Sequence, residues 1–154
     1  MRYRRSKNPG HRYFFTVKLA DRSSRLLIER IDALRDSIIH VKSRHPFQIT
    51  AWVVLPDHMH ALWLLPAQDC DYSLRWSLIK SRFSRQVEKT EPIGASRLSR
   101  RERGIWQRRF WEHRIRDDRD LATHIAYIHN NPVKHGHSLH ATDWPYSTIH
   151  RYTT

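Results

Sequence analysis

Two apolar runs, residues 47–55 and 59–65, are rich in β-branched and aromatic side chains and are separated only by Pro56, Asp57 and His58. Runs of this composition are typical of strands, and a Pro-Asp break between them is typical of a turn. The pattern predicts an antiparallel hairpin whose strands are mostly buried.

The residues before the hairpin predict one strand and one helix. Residues 11–19 are aromatic and β-branched, which is typical of a strand. From Ser24 to about Arg44 the apolar residues recur at steps of three and four, which predicts an amphipathic helix, and Pro46 prevents its continuation. The stripe consists of Leu27, Ile31, Leu34, Ile38 and Val41.

After the hairpin, Asp71 is placed to cap a second helix over about Tyr72 to Val87. We expect Leu74, Leu78 and Ile79 to face inward in this helix, with its arginines elsewhere. Residues 89–104 contain Pro92 and two glycines and predict a loop.

The last third of the chain predicts a strand, a helix and a tail. Large apolar residues that alternate imperfectly with charges over residues 105–116 suit a final strand with one wet face. Asp117 and Asp118 favour a helix start, and the stripe of Leu121, Ile125 and Ile128 ends before Pro132. Residues 133–154 form a short aromatic tail.

This order of elements predicts an α+β fold: a ferredoxin-like sandwich in which helices pack on a four-stranded, mainly antiparallel sheet. A length of 154 residues suits a single domain over residues 1–154, of which 133–154 are the tail.

Positive charge is concentrated in three segments. The chain has 28 Lys and Arg against 15 Asp and Glu, a formal charge of +13. Residues 2–18, 75–89 and 97–116 hold most of the excess, and such clusters favour a polyanionic partner because neutralising phosphates releases counterions. Trp76, Trp106, Phe110 and Trp111 lie among these cations, where aromatic rings can stack on unpaired bases.

Other features exclude whole classes of protein. No apolar run is long enough to span a bilayer, and no secretory signal follows the basic start. A single cysteine, Cys70, excludes an internal disulfide and a thiolate zinc cluster. We therefore expect no membrane partner and a cytoplasmic location.

His58 and His60 begin the second strand of the hairpin. Residues two apart on a strand point to the same face, so both imidazoles can bind one ion. The last helix offers His124, Tyr127, His129 or Asn131 as further site residues. At about 100° per residue, Tyr127, Asn131 and His124 fall on one flank of the buried stripe and His129 on the other.

Two imidazoles, an amide oxygen and a tyrosine hydroxyl suit phosphodiester cleavage by covalent catalysis. The tyrosine would attack phosphorus, and a metal would polarise the phosphate. Oxygen ligands and open coordination positions favour Mg²⁺ or Mn²⁺ over a structural zinc.

The strings Trp52 to His60 and Tyr127 to Gly136 resemble the two signature stretches of the REP-associated tyrosine transposases, members of the HUH superfamily. The first is similar to their histidine–hydrophobic–histidine motif and the second to their tyrosine helix. Further matching pieces, among them residues 104–116 and 143–147, extend the resemblance over nearly the whole chain.

The resemblance implies a metal-dependent single-strand DNA endonuclease and strand-transferase acting on REP hairpins. It implies that Tyr127 forms a 5′-phosphotyrosine link, with His58, His60 and Asn131 holding the ion. It also implies a monomer associated with the nucleoid, with a dimer as the alternative. We expect the following residues to bind DNA: Arg4, Arg5, Arg12, Arg75, Lys80, Arg82, Arg85, Trp106, Arg108, Arg109, Arg114 and Lys134.

Three other functions stay open at this point. The first is a non-catalytic hairpin-binding protein or regulator, which the charge distribution predicts equally well. The second is a hydrolase that uses His58 and His60 to activate water. The third is binding to RNA, because unpaired RNA suits basic patches with aromatic residues as well.

Overall fold

The hairpin is present in the computed structural model, which describes residues 11–89 and 103–152. Its strands are β2 (Gln48–Val54) and β3 (His58–Leu64), paired antiparallel with one register shift between Ile49 and Ala51. The amide of Leu55 donates to the carbonyl of His58 at 2.8 Å and closes the turn. This turn fixes the point at which β3 begins.

The hairpin belongs to a sheet of four strands within the described residues. Strand β1 (Arg12–Lys18) pairs antiparallel with β3 over its full length, and β4 (Trp111–Arg114) pairs with the other side of β1. The strand order is β2-β3-β1-β4. This order and the helices on the sheet confirm the predicted α+β, ferredoxin-like architecture.

Helices cover both faces of the sheet. A single turn, α1 (Leu26–Glu29), leads into α2 (Ile31–Arg44), which packs with α3 (Tyr72–Gln86) over the larger core. Helix α4 (Asp118–Lys134) packs on the opposite face over a smaller core that includes Phe14 and Ile128. Consecutive residues of β1 and β3 therefore point into different cores.

Two predicted elements differ in extent from the observed ones. The first helix is interrupted at Arg30, where the backbone (φ −119°, ψ 39°) is not helical. Only residues 111–114 of the predicted last strand pair as β4, because Ile105 and Trp106 are consecutive and both buried, which breaks the expected alternation. The predicted loop at 89–104 lies mostly outside the described residues.

Helix α4 continues past Pro132, where the sequence predicted its end. Proline has no backbone N–H and therefore removes one hydrogen bond from the helix. This loss is tolerated so close to the end of the helix. The helix ends instead at Lys134, and Gly136, just after the capping residue His135, has a φ of +73°, the left-handed conformation that glycine adopts readily. The amide of His137 donates to the carbonyl of Pro132 and that of Gly136 to Val133, which is a Schellman end.

The C-terminal tail packs along the outer edge of β2. It contains a 3₁₀ turn (Ala141–Asp143) and a short helix α5 (Ile149–Tyr152). Val54 donates its amide to the carbonyl of Tyr146, and Thr148 donates to that of Trp52, both at 2.9 Å. The tail therefore covers a strand edge that would otherwise be open to pairing.

The inward face of α3 differs from the predicted one. Asp71 caps the helix as predicted by accepting the amide of Leu74 at 3.0 Å. However, Leu74 and Leu78 are exposed, and the buried positions include Arg75, Trp76 and Ile79. The predicted buried face of α3 was therefore wrong, because the prediction used only apolar residues and the observed buried face includes Arg75.

Arg75 is fully buried and makes five hydrogen bonds inside the protein. Its Nε donates to the carbonyl of His45, and its terminal nitrogens donate to the carbonyls of Pro46 and Asp71 and to both carboxylate oxygens of Asp69. A guanidinium has five N–H donors, so all of them are used. The predicted DNA contact of Arg75 is therefore wrong.

None of the helices within residues 11–89 and 103–152 combines the length and apolar character that a bilayer-spanning helix needs.

We expect Arg75→Met to lower the free energy of unfolding by about 3 kcal/mol, because it leaves buried carbonyls without donors. Arg82→Met on the same helix removes a partly exposed pair with Asp36 and should cost less than about 1 kcal/mol. Urea denaturation of both variants measures the difference. Equal losses would show that the Arg75 network does not stabilise the fold.

Candidate active site

The two histidines of β3 lie side by side on the face covered by α4. The ring centroids of His58 and His60 are 5.0 Å apart, and the two residues are 5% and 3% exposed. The predicted convergence of the His-x-His pair on one face is therefore observed.

Each imidazole is held by a hydrogen bond at Nδ1. His58 Nδ1 lies 2.9 Å from a carboxylate oxygen of Asp57, which also pairs with Arg22. His60 Nδ1 lies 2.9 Å from the hydroxyl of Thr16. In metal sites such contacts orient the ring and leave the other nitrogen for the ion. Here they leave Nε2 of both rings available.

The environment keeps both histidines neutral. Burial, assisted by neighbouring cationic groups, lowers the pKa of His60 from 6.5 to about 3. Burial also lowers the pKa of His58, although the Asp57 carboxylate opposes it. Neutral imidazole is the form that binds metal ions, so protons do not compete for these nitrogens at neutral pH.

Tyr127 on α4 faces the histidine pair. Its ring centroid is 5.2 Å from that of His60, and its ring packs edge-on against Phe14. The Lys134 ammonium lies 5.0 Å from the ring centroid, and Tyr127 is 38% exposed. The predicted tyrosine is thus fixed on one side and open to solvent on the other.

Asn131, one helical turn after Tyr127, is completely buried. Within the described part of the chain, neither its amide oxygen nor its amide nitrogen has a hydrogen-bond partner, and the same holds for His60 Nε2. Buried polar atoms without partners are rare and costly. An amide oxygen and two imidazole nitrogens fit the donor set of a divalent cation, and such an ion would satisfy these atoms.

A cavity of about 380 Å³ opens in front of His58, His60 and Tyr127. We call it the tyrosine cavity. Its lining contains no carboxylate among the described residues, so it can accept a phosphate without like-charge repulsion. The lining residues are Thr16, Lys18, Arg22, His58, His60, Trp111, Tyr127 and His135.

Five of these lining residues were not predicted as part of this site. Thr16 and Lys18 stand opposite His60 and His58 in the β1–β3 register, and Thr16 also stands opposite Trp111 on β4. The sequence signal for them is strand alternation, which identifies a site only when the register is known. His135, just after α4, has its ring centroid 5.4 Å from that of His58.

The other two candidate histidines of α4 have different partners. His129 lies 2.9 Å from the hydroxyl of Thr148 in the tail. His124 joins His113 and Asp120 in a cluster whose possible ligand atoms lie within 4.8 Å of one another. Burial raises the pKa of Asp120, but hydrogen bonds from the Arg116 amide and His113 outweigh it and lower the pKa to about 2. This carboxylate connects β4 to α4.

The predicted DNA-binding residues are distributed unevenly. Arg4 and Arg5 lie outside the described residues. Trp106 is 6% exposed and donates its indole N–H to Ser84, so only a small part of its ring is open to a base. The ammonium group of Lys134 lies over the ring of Tyr127. Several others already have protein partners: Arg12 contacts Thr50, Arg82 pairs with Asp36, Arg114 contacts His11, and Lys80 contacts Gln107.

A second cavity, of about 810 Å³, lies between α3 and residues 103–108. We call it the basic groove. Its described lining includes five cationic side chains and no carboxylate, and four of the predicted DNA-binding residues belong to it. The lining residues are Ser77, Lys80, Ser81, Ser84, Arg85, Val87, Lys89, Arg103, Trp106, Gln107 and Arg108.

Comparison with known proteins agrees with this geometry. Residues 10–131 match the family model described as IS200-like transposase. A REP-associated tyrosine transposase of Escherichia coli K12 is 48% identical over 149 residues, covering 97% of this chain and 82% of the relative. A Haemophilus influenzae protein that has provisionally been given the same name is 46% identical over 150 residues, covering 97% and 85%.

A solved structure also resembles the fold. It shows a REP-associated tyrosine transposase bound to a REP hairpin and superposes with a TM-score of 0.82 at 46% identity. The match covers 98% of this chain and 84% of that one.

The buried state of His60 predicts a pH dependence of stability in the presence of a chelator. Between pH 6.5 and about 3 the unfolded chain binds a proton at His60 that the folded protein does not, so stability falls as the pH falls through this window. We expect His60→Gln to reduce the slope by up to about 1.4 kcal/mol per pH unit.

Denaturation with urea at several pH values measures this slope, and His150→Gln, at an exposed histidine, is the control. An unchanged slope in His60→Gln would contradict the neutral, buried state of His60.

Proposed function

The chain belongs to the REP-associated tyrosine transposases of the IS200-like family, and we propose that it cuts and rejoins single-stranded DNA at hairpins through Tyr127. The observation that supports this most directly is the position of the Tyr127 ring beside His60 in a cavity lined by cations. The orphaned amide of Asn131 and the free Nε2 of His60 support a metal at the same place.

In the proposed reaction the phenolic oxygen of Tyr127 attacks phosphorus in the DNA backbone. A bond forms between that oxygen and phosphorus, and the bond from phosphorus to the 3′-oxygen breaks. The products are a 5′-phosphotyrosine and a free 3′-hydroxyl. The phenolic proton leaves to water, and the 3′-oxygen takes up a proton. Attack by a 3′-hydroxyl reverses these steps and rejoins the strand.

Residues of the chain orient the reacting groups. Phe14 and His60 hold the Tyr127 ring, and Lys18, Arg22 and Lys134 place positive charge around the phosphate. We propose that His58, His60 and Asn131 hold Mg²⁺ or Mn²⁺, which when bound supplies Lewis-acid polarisation of the phosphate. Asp57 and Thr16 would keep the two imidazoles in the orientation for binding.

The proposed substrate is a REP-type hairpin, the partner found on the related solved structure. The basic groove suits its backbone, since Lys80, Arg85 and Arg108 line it and its described lining holds no carboxylate. The groove and the tyrosine cavity share a backbone connection: Gln107 of the groove donates its amide to the carbonyl of Lys18 in the cavity at 3.0 Å. A hairpin in the groove could therefore pass its single strand to Tyr127.

We further propose that one chain suffices for the reaction and that it acts as a single domain on nucleoid DNA in the cytoplasm. His58, His60 and Tyr127 are brought together by β3 and α4 of the same chain. No second copy is needed to complete this group.

We predict that Tyr127→Phe abolishes cleavage and the covalent adduct while changing hairpin affinity less than about twofold, because it removes only the nucleophilic oxygen. The assay uses labelled hairpins with single-stranded flanks, with magnesium, manganese or a chelator, on a denaturing gel. Tyr152→Phe, at an exposed tyrosine outside the cavity, is the matched control and should stay active.

An active Tyr127→Phe variant would exclude the covalent mechanism and favour a hydrolase. Tight binding without cleavage by the wild-type protein, with the host's own palindromes tested, would instead identify a hairpin-binding regulator.

We predict that removing cations of the basic groove weakens hairpin binding by reducing counterion release. For each phosphate that Arg85→Ala or Arg108→Ala no longer neutralises, the slope of log affinity against log salt should fall by about 0.7–0.9. Titrations between about 50 and 200 mM salt measure the slope. Lys42→Ala, at an exposed lysine of α2 outside the groove, is the charge-matched control. The same change in slope in Lys42→Ala would mean that the groove is not the docking surface.

A further inference from the structure

Trp111 is the one tryptophan among the described residues whose side chain is mostly exposed. It is 65% exposed, whereas Trp63, Trp76 and Trp106 are buried. It begins β4, which is an edge strand of the sheet within the described residues. An aromatic residue at this position on a strand edge leaves an apolar ring open to a partner.

The sheet register places Trp111 in line with the candidate active site. Thr16 on β1 stands opposite both Trp111 on β4 and His60 on β3, so the three residues form a row across one face. Two strand spacings, about 10 Å, separate Trp111 from His60. This span is only a few times the rise of about 3.4 Å per nucleotide along a strand of duplex DNA.

The surroundings of Trp111 suit a nucleic acid strand. Trp111 lines the tyrosine cavity together with Lys18, Arg22 and Tyr127. Within residues 11–89 and 103–152 no aromatic ring is stacked on it and no carboxylate lines the cavity. The indole is therefore accessible beside a cationic surface.

We propose that Trp111 is a stacking platform for one unpaired base of the single-stranded flank, within a few nucleotides of the phosphate that Tyr127 attacks. This inference rests on the proposed function and adds the binding subsite for the strand. Aromatic side chains stack on any base, so the contact positions the strand and does not read its sequence. Trp111 is thus a positioning residue and takes no part in bond making.

The test measures affinity in the presence of chelator for two DNAs: a hairpin with single-stranded flanks and the same hairpin without them. We expect Trp111→Ala to weaken binding of the flanked hairpin by roughly tenfold and to leave the bare hairpin unchanged. Trp111→Phe should retain most of the affinity, because it keeps an aromatic face. Ile39→Ala, at a 68% exposed apolar residue on α2, is the control.

A second measurement locates the base. Flank bases are replaced one at a time by abasic sites, and each DNA is titrated with wild type and Trp111→Ala. We expect one position to cost the wild type about tenfold and to cost Trp111→Ala nothing further, because both changes remove the same contact.

Several results would overturn the inference. Equal losses of affinity for flanked and bare hairpins would mean that Trp111→Ala affects stem binding or folding. Circular dichroism would show whether the variant is folded. No loss at all would leave Trp111 without a role in binding the strand. A change in solution mass on Trp111→Ala, measured by light scattering, would identify an interface between copies of the chain.

The outcome can be separated from that of the covalent mechanism. A flank-specific loss in Trp111→Ala without any tyrosine adduct in the wild type would keep the base subsite and reject Tyr127 catalysis. An adduct in the wild type with no flank-specific loss in Trp111→Ala would keep Tyr127 catalysis and reject the base subsite.

Discussion

The pairing of β1 with β3 determines on which face of the sheet the candidate site residues of these two strands lie. These two central strands are paired from Arg12 with Leu64 to Lys18 with His58. Because side chains alternate, this register directs Trp63 into the core under α2 and α3, and directs His58 and His60 towards α4. A slip of one residue would exchange the two sets, burying the histidines in the large aromatic core and moving the aromatic residues to the face under α4. The fold and the site are therefore stabilised by the same register.

Helix α4 is fixed at several points, and this gives Tyr127 a defined position. Asp117 caps its first turn, the Asp120 carboxylate joins it to His113 on β4, and the glycine end at Gly136 closes it. His129 joins it to Thr148 of the tail. A nucleophile needs to be held in place by packing and hydrogen bonds around it. These contacts therefore hold α4 in place both before and after Tyr127.

Much of the fold follows from local patterns, whereas the environment of the site does not. The hairpin, the amphipathic helices and the same-face placement of His58 with His60 depend on spacing along the chain, and the sequence predicts them. Trp106 and Trp111 show the opposite case: both lie in one basic aromatic segment, yet the first is buried and the second is exposed. Their difference comes from pairing with β1, which is a long-range contact. His135 enters the tyrosine cavity for a similar reason, because it caps the C-terminal end of α4, and the packing of α4 on the sheet places that end beside His58.

The positive charge of the chain has two different uses. Arg75 is buried and donates only to groups of the protein, whereas Arg22 and Arg103 also have protein partners but line the two cavities. The net charge of the sequence therefore overstates the charge available to a partner, since part of it holds the fold together. What the fold leaves for a partner lines two cavities on either side of the Lys18–Gln107 backbone contact. Since one backbone segment supports both cavities, the sheet itself sets the distance between the basic groove and Tyr127, and under the proposed function the single strand has to bridge that distance.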